Sequence, residues 1–187
     1  MADKIPILFD TDIGSDIDDA LCLAYLLHQE RCDLLGITTV SGEPVKRAML
    51  ADAVCKAAGR SGIPIYPGCE EPLLIEQKQK LAPQAEVLDR WPHGKDFEPN
   101  SAVQFLRDTI RSRPGEITLL AVGPLTNIGM LFRLDPEIPS LLKELVLMGG
   151  AFSYPVGHKS LPLEWNIIVD PHAAAIVFGA KDLPITV

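Results

Sequence analysis

The sequence is poor in basic residues and in long apolar runs, and each shortage excludes a class of function. Lysine and arginine total 17 against 25 aspartates and glutamates, which gives a net charge of −8. Because a phosphate backbone is bound by clustered basic side chains, a nucleic-acid polymer is not expected as a partner. No apolar run approaches the roughly 18 residues that a membrane-spanning helix requires, so no membrane partner is expected either.

Cysteine is also scarce, and the N-terminus lacks the pattern of a signal peptide. Residues 1–4 are charged and lead directly into an apolar segment, without a basic head, an apolar core and a small-residue cleavage site. No two cysteines have C-x-x-C spacing, and we expect free thiols in a reducing cytoplasm. The four cysteines are Cys22, Cys32, Cys55 and Cys69.

Short apolar segments alternate with helical patterns along the chain. Residues 5–9 form a continuous apolar run, which is typical of a strand covered on both faces. Further strands are predicted at 34–40, 63–66, 117–122, 144–148 and 184–187, and helices at 18–29, 44–58, 101–113, 125–134 and 171–179. This alternation predicts a single domain over residues 1–187, with a doubly wound α/β fold and a mostly parallel sheet.

Three local features qualify this pattern. Residues 70–99 are dominated by Gln, Lys, Pro and Glu, which predicts a long loop or insertion with room for a short helix. Ser101 and Gln104 have the spacing of a capping box at the start of a helix. The chain ends inside a predicted strand with no helix to cover it, so we expect a domain truncated at its C-terminus.

The most informative segment follows the first predicted strand and is crowded with carboxylates. Its five acidic residues fall within ten positions: Asp10, Asp12, Asp16, Asp18 and Asp19. Such groups raise one another's pKa unless a cation or a donor-rich loop compensates them. Because carboxylate oxygens are hard ligands, the ion expected is Ca²⁺ or Mg²⁺. The alternative is a solvated turn in which Asp16 or Asp18 only caps the next helix.

An EF-hand does not fit this segment, because Gly14, Ser15 and Leu21 stand where that motif needs a ligand, a glycine and a glutamate. Residues 8–12, Leu-Phe-Asp-Thr-Asp, resemble the motif of haloacid-dehalogenase-like phosphohydrolases. That resemblance implies Asp10 as a nucleophile. It leaves the pair Asp18-Asp19 unexplained, and the Gly-Thr or Gly-Val that usually follows the motif is absent.

A second resemblance covers nearly the whole chain. The segment 10–20, Asp-Thr-Asp-Ile-Gly through Asp-Asp-Ala, is similar to the signature of the inosine-uridine-preferring nucleoside hydrolases. Five further blocks follow in the order that the family has them, at 36–42, 63–69, 121–128, 145–150 and 164–171. The resemblance implies hydrolysis of the N-glycosidic bond of ribonucleosides in purine and pyrimidine salvage, and a dimer or tetramer.

In that family one Ca²⁺ at the bottom of the pocket binds the ribose hydroxyls and the attacking water. The resemblance implies that Asp12 binds the ion and is the general base, and that Asp19 is a bidentate ligand. It implies a main-chain ligand at Val122 and a supporting position for Asp10. Asp18 is implied to bind a ribose hydroxyl.

The resemblance also implies residues that hold the sugar. Glu164 and Asn166 are expected to bind the 5′ side and the ring hydroxyls, with Met148 packed nearby. Without the resemblance, Glu164 and Asn166 would be ordinary polar residues before a helix. Asn127 has two interpretations, because its amide either supports the metal loop or caps the helix after Pro124.

Two departures from the family pattern bear on these roles. The signature has two extra residues, so that Asp16 competes with Asp18 for the ribose role. The family's last metal-binding aspartate, and the histidine that aids the leaving base, belong to a part of the fold beyond residue 187. His93 or His158 is an alternative aid to the leaving group, but both are expected at the surface. A nucleoside-binding chain without catalysis is therefore a third hypothesis, and the preferred base stays open.

Overall fold

The computed structural model describes residues 4–152 and 163–187, and its centre is a six-stranded parallel sheet. The spatial order of the strands is β3-β2-β1-β4-β5-β6, and every neighbouring pair is parallel. The strands are β1 (Ile5–Thr11), β2 (Cys32–Thr39), β3 (Ile65–Pro67), β4 (Thr118–Ala121), β5 (Glu144–Leu147) and β6 (Ile185–Thr186). The predicted doubly wound α/β fold is confirmed.

The order of the strands reverses between β1 and β4. The chain moves outward from β1 through β2 to β3, and then returns to the other side of β1 and moves outward again through β4, β5 and β6. In open α/β sheets, ligands bind beyond the carboxyl ends of the strands at such a reversal. The segment after β1 lies at this point.

Helices cover both faces of the sheet. They are α1 (Asp18–His28), α2 (Pro44–Ala57), α3 (Ala102–Ser112), α4 (Thr126–Leu134), α5 (Ile138–Leu141), α6 (Trp165–Val169) and α7 (Pro171–Phe178). Leu8 of β1 packs in a cluster with α3, α4 and α7, whereas the next residue, Phe9, packs in a second cluster with α1 and α2. Both faces of β1 are therefore buried, which explains its continuous apolar sequence.

Some local predictions were wrong or incomplete. Ser101 does not form a capping box: its hydroxyl donates to the Glu98 carbonyl at 2.6 Å, and the Gln104 amide donates to Asp108. These contacts within the loop and along the helix replace the reciprocal cap. The short helices α5 and α6 were not predicted, because four and five residues are too few to show a period. Residues 70–99 contain one 3-10 helix, Pro83–Arg90, and are otherwise irregular in structure.

The cysteines agree with the expectation of free thiols. All four cysteines are free, and burial raises the pKa of the thiols of Cys22, Cys55 and Cys69 to about 11. Within residues 4–152 and 163–187, no helix has the length and hydropathy needed to cross a membrane.

Candidate functional site

A small cavity lies beyond the carboxyl ends of β1, β4 and β5, and most of the residues singled out in the sequence line it. Its volume is about 90 Å³. The lining residues are Asp12, Ser15, Asp16, Asp18, Asp19, Gln79, Val122, Met148, Glu164, Trp165 and Asn166. The fold thus brings together residues from five separate segments of the chain.

Asp10 lies behind this cavity and not in its lining. Its side chain is 0% exposed. One carboxylate oxygen accepts hydrogen bonds from the Thr38 hydroxyl at 2.5 Å and from the Asn127 amide at 2.8 Å, while Oδ2 has no partner among the described residues. Burial raises the pKa of Asp10 to about 7. A carboxylate so enclosed is poorly placed to attack a phosphate, which argues against the phosphohydrolase hypothesis.

Asp12 and Asp19 face the cavity and are also buried, at 6% and 7% exposure. The Asp12 carboxylate accepts from the Gln79 amide at 2.6 Å, and Asp19 accepts from the Thr11 hydroxyl. Burial, with the neighbouring Asp12 charge, raises the pKa of Asp19 to about 7, and burial raises the pKa of Asp12 as well. Within the described residues, these two carboxylates are held without a bound cationic side chain, an arrangement that a divalent ion would stabilise.

Asp16 and Asp18 lie at the exposed mouth of the cavity. The residue at the N-cap of α1 is Ile17, and no side chain in the described part of the chain caps this helix. The interpretation of Asp16 or Asp18 as a helix cap is therefore wrong. Both carboxylates are available to a ligand.

The opposite wall of the cavity is formed by the start of α6. Glu164 caps this helix, because its carboxylate accepts from the backbone N–H groups of Asn166 at 2.9 Å and Ile167 at 3.0 Å. The Asn166 amide donates to the carbonyls of Val122 at 2.8 Å and Met148 at 3.2 Å. These contacts join α6 to the ends of β4 and β5, and they hold the proposed sugar-binding residues beside Asp12.

Asn127 supports the site through its amide. Its side chain is buried, donates to the Asp10 carboxylate and to the Thr39 carbonyl, and accepts from the Cys69 backbone N–H at 2.9 Å. It makes no cap at the start of α4. Of the two interpretations of Asn127, support of the loops behind the cavity is the one observed.

Gln79 and Trp165 are site residues that the sequence did not single out. The Gln79 amide donates to Asp12 and to the Ser15 hydroxyl, both at 2.6 Å, and its carbonyl accepts from the Trp165 indole at 2.5 Å. Gln79 belongs to the irregular segment 70–99, where no motif marks one glutamine among several. Only its contact with Asp12, 67 positions away, identifies it.

The segment around Gln79 is fixed closely to the acidic turn. The Gly42 backbone N–H donates to the Gln79 carbonyl at 3.1 Å, and the Gln84 N–H donates to the Gly14 carbonyl at 3.0 Å. A Cβ atom at Gly42 would lie 2.3 Å from the Gln79 carbonyl oxygen, so only glycine permits this approach. The segment 70–99 thus supplies a wall of the cavity.

Of the two histidines considered for the leaving group, the structure describes His93, which does not contribute to this cavity. His93 bonds the Trp91 carbonyl at 2.8 Å and is not among the lining residues. His158 lies outside the described residues.

The comparison with known protein families agrees with this geometry. The family model described as inosine-uridine preferring nucleoside hydrolase matches residues 7–187. The chain belongs to this family. The match covers the acidic turn, the segment 70–99 and the start of α6, so the cavity as a whole lies inside the family region.

Named relatives and solved structures differ in their base preference. A probable uridine nucleosidase 2 of Arabidopsis thaliana is 35% identical over 95% of this chain and 57% of its own length. A pyrimidine-specific ribonucleoside hydrolase of Escherichia coli O157:H7 is 35% identical over 94% of this chain and 56% of its own length. A purine-preferring ribonucleoside hydrolase from Gardnerella vaginalis superposes with a TM-score of 0.82 at 26% identity, over 96% of this chain and 59% of its own.

A plant nucleoside hydrolase superposes equally well, with a TM-score of 0.82 at 30% identity, over 97% of this chain and 58% of that chain. The chain thus spans a little over half the length of the relatives it matches.

Proposed function

We propose that the protein carrying this chain hydrolyses the N-glycosidic bond of ribonucleosides to ribose and free base, with Ca²⁺ as its cofactor. The observation that carries the proposal is the pair of buried carboxylates, Asp12 and Asp19, in one cavity with Glu164 and Asn166. Membership of the nucleoside hydrolase family supports the same reaction.

The donor set suits a hard divalent cation. Asp12 and Asp19 offer carboxylate oxygens at the cavity, and the Val122 carbonyl, which accepts one hydrogen bond from Asn166, retains a second lone pair. Among the described residues, no three acidic, histidine or cysteine side chains converge closely enough to form a complete site. The proposed ligands are therefore Asp12, Asp19 and the Val122 carbonyl, with Asp10 behind them and further oxygens from water or substrate.

When bound, the ion supplies positive charge that favours deprotonation of water and attracts the vicinal diol of ribose. Asp12 is proposed as the general base, because its carboxylate faces the cavity and its raised pKa brings its basicity nearer to neutral pH. It accepts a proton from water while the oxygen attacks C1′. The C1′–N bond breaks with its electron pair going to the base, which takes up a proton from solvent, and the proton held by Asp12 returns to solvent.

The remaining carboxylates act on the sugar. The transition state of glycosidic cleavage resembles an oxocarbenium ion, with positive charge spread over the ribose. Asp18 is proposed to accept a hydrogen bond from a ribose hydroxyl, and Glu164 and Asn166 to hold the 5′ side beside Met148. A cavity rich in negative charge stabilises this transition state more than the neutral nucleoside, which lowers the barrier.

The test is release of ribose from inosine and uridine by the intact protein, with added calcium and with a chelator. Ribose that appears only with calcium supports the proposal. Phosphate release from a phosphomonoester without ribose release would favour the phosphohydrolase, and nucleoside binding without turnover would favour a binding role. Comparing the two nucleosides also tests the base preference.

A cytoplasmic location and a dimeric or tetrameric state are part of the proposal. Measurement of the protein's size in solution tests the oligomeric state.

A further inference from the structure

A buried arginine beside the acidic turn has no role in the reaction as proposed so far. Arg47, in the first turn of α2, is 0% exposed. Among the described residues its guanidinium makes five hydrogen bonds, all to carbonyl or hydroxyl oxygens: Gly42 O at 2.8 Å, Asp12 O, Ile13 O at 3.2 Å, Ser15 Oγ at 3.1 Å and Leu81 O at 3.0 Å. One side chain thus joins the acidic turn, the β2–α2 loop and the segment 70–99.

The turn that Arg47 holds has an unusual main chain. Gly14 has a φ of +115°, and a Cβ atom there would lie 2.6 Å from Leu50 of α2. The turn is therefore pressed against α2 with its carbonyls directed inward, where they need donors. The planar fork of an arginine offers five N–H donors from three nitrogens in a fixed geometry, whereas a lysine ammonium offers three from a single nitrogen.

Arg47 is connected by hydrogen bonds to both the main chain and the side chain of Asp12. It donates directly to the Asp12 carbonyl. The Ser15 hydroxyl accepts from Arg47 and also from the Gln79 amide, and that amide donates to the Asp12 carboxylate. Because these contacts form a closed chain from the main chain of Asp12 to its side chain, a shift of the guanidinium would move the carboxylate.

We propose that Arg47 is the positioning residue of the acidic turn, and that it sets the orientation of Asp12 toward the calcium ion. This inference rests on the proposed function, because it assigns the turn to that ion. Arg47 touches neither the substrate nor the reacting atoms in this scheme. It acts through the carbonyls of Asp12 and Ile13 and through Ser15.

The direction in which calcium affinity changes distinguishes a positioning role of Arg47 from a simple effect of its charge. A cation near Asp12 and Asp19 repels calcium, so loss of the Arg47 charge alone would tighten calcium binding. Loss of positioning would weaken it. The experiment is calorimetric titration of the metal-free intact protein with calcium, for wild type, Arg47→Met and Arg47→Lys. For Arg47→Met we expect binding weakened by about 10- to 100-fold, the range typical of partners behind metal ligands.

Arg47→Lys retains the charge and loses the fork, and we expect weakening of at least about tenfold by the same reasoning. In both variants kcat should fall at saturating calcium, while KM for the nucleoside changes less, because Glu164 and Asn166 are untouched. Arg60→Met is the matched control: Arg60 also donates to a carbonyl, but that carbonyl belongs to Leu27 near the C-terminal end of α1, away from the acidic turn. Its calcium affinity and kcat should equal those of wild type.

Circular dichroism shows whether each variant is folded. If Arg47→Met is unfolded, the calcium affinity of Arg47→Lys tests the positioning role. Calcium affinity and kcat equal to wild type in a folded variant would overturn the positioning role, as would tighter binding in Arg47→Met. If the wild type binds calcium, and binds it more tightly than the variants, but releases no ribose, the proposed reaction fails while the positioning role stands.

Discussion

Two groups of buried carboxylates in this molecule are stabilised in opposite ways. Asp135, beyond the end of α4, is 5% exposed and accepts hydrogen bonds from Arg107 at 3.0 Å and Arg111 at 2.5 Å, which hold its pKa well below the ordinary value. Asp10, Asp12 and Asp19 are buried to a similar degree, yet their partners are hydroxyls and amides, and their pKa values are raised.

The contrast distinguishes a buried carboxylate that stabilises the fold from buried carboxylates that we expect to serve the reaction. A carboxylate with two arginines contributes to stability by itself. Carboxylates buried without a bound cation oppose folding when they ionise, and a protein retains them where another gain offsets the loss. Arg47 illustrates this point, because it lies beside the acidic turn and yet donates its hydrogen bonds there to main-chain oxygens and to Ser15.

The largest expected effect comes from removing a carboxylate of the group that has no arginine partner among the described residues. For Asp12→Asn we expect ribose release to fall by about 10²- to 10⁴-fold, the range for loss of a general base. We expect its free energy of unfolding in chelator to be unchanged or higher, because a buried charge is removed. Ribose release and urea unfolding measure the two effects. Activity near that of wild type would exclude Asp12 as the base.

A second test uses pH and metal removal. The pKa of Asp10 and of Asp19 is raised to about 7 in the folded chain, above the unfolded value. Their contribution to stability is therefore complete below the unfolded pKa of about 4 and is lost as pH rises through 7. Without calcium, the free energy of unfolding should fall by about 1.4 kcal/mol per pH unit for each carboxyl that stays protonated in the folded state.

Calcium should reverse this trend, because it binds the ionised form. Urea unfolding at about pH 5 and about pH 8, with chelator and with calcium, measures the difference. The stabilisation by calcium should be larger at the higher pH. Equal stabilisation at both values would mean that these carboxylates are already ionised without the ion.

The third test addresses Asp135. For Asp135→Asn we expect a loss of about 1 to 3 kcal/mol in the free energy of unfolding, the scale of hydrogen bonds to charged groups. Since its folded pKa is lowered, this contribution exists above the unfolded pKa and disappears as the solution becomes more acidic. Calcium affinity and ribose release by the folded variant should equal those of wild type. A change in calcium affinity would mean that the two groups are coupled.

The contrast also marks what could be predicted from sequence. The apolar run of β1 and the alternation of elements predicted the sheet, because both depend on local pattern and burial. The acidic turn was recognised because its carboxylates are adjacent in sequence. Arg47 and Gln79 were missed, because their meaning depends on contacts with Asp12 that are 35 and 67 positions distant. The capping box failed for a different, local reason: the Ser101 hydroxyl donates to Glu98, three positions away in its own loop.

The smallest expected effect concerns Gln79, whose amide donates to the Asp12 carboxylate, where Asp135 has arginines instead. For Gln79→Ala we expect kcat to fall by about tenfold, as for other residues that orient a site from behind. The Gln79 hydrogen bond lowers the pKa of Asp12, so its loss raises that pKa and moves the acidic limb of the pH profile toward higher pH. Gln84→Ala is the control, because that side chain does not line the cavity. An unshifted acidic limb would mean that Gln79 does not tune Asp12. The turn would then depend on its main-chain contacts and the ion alone.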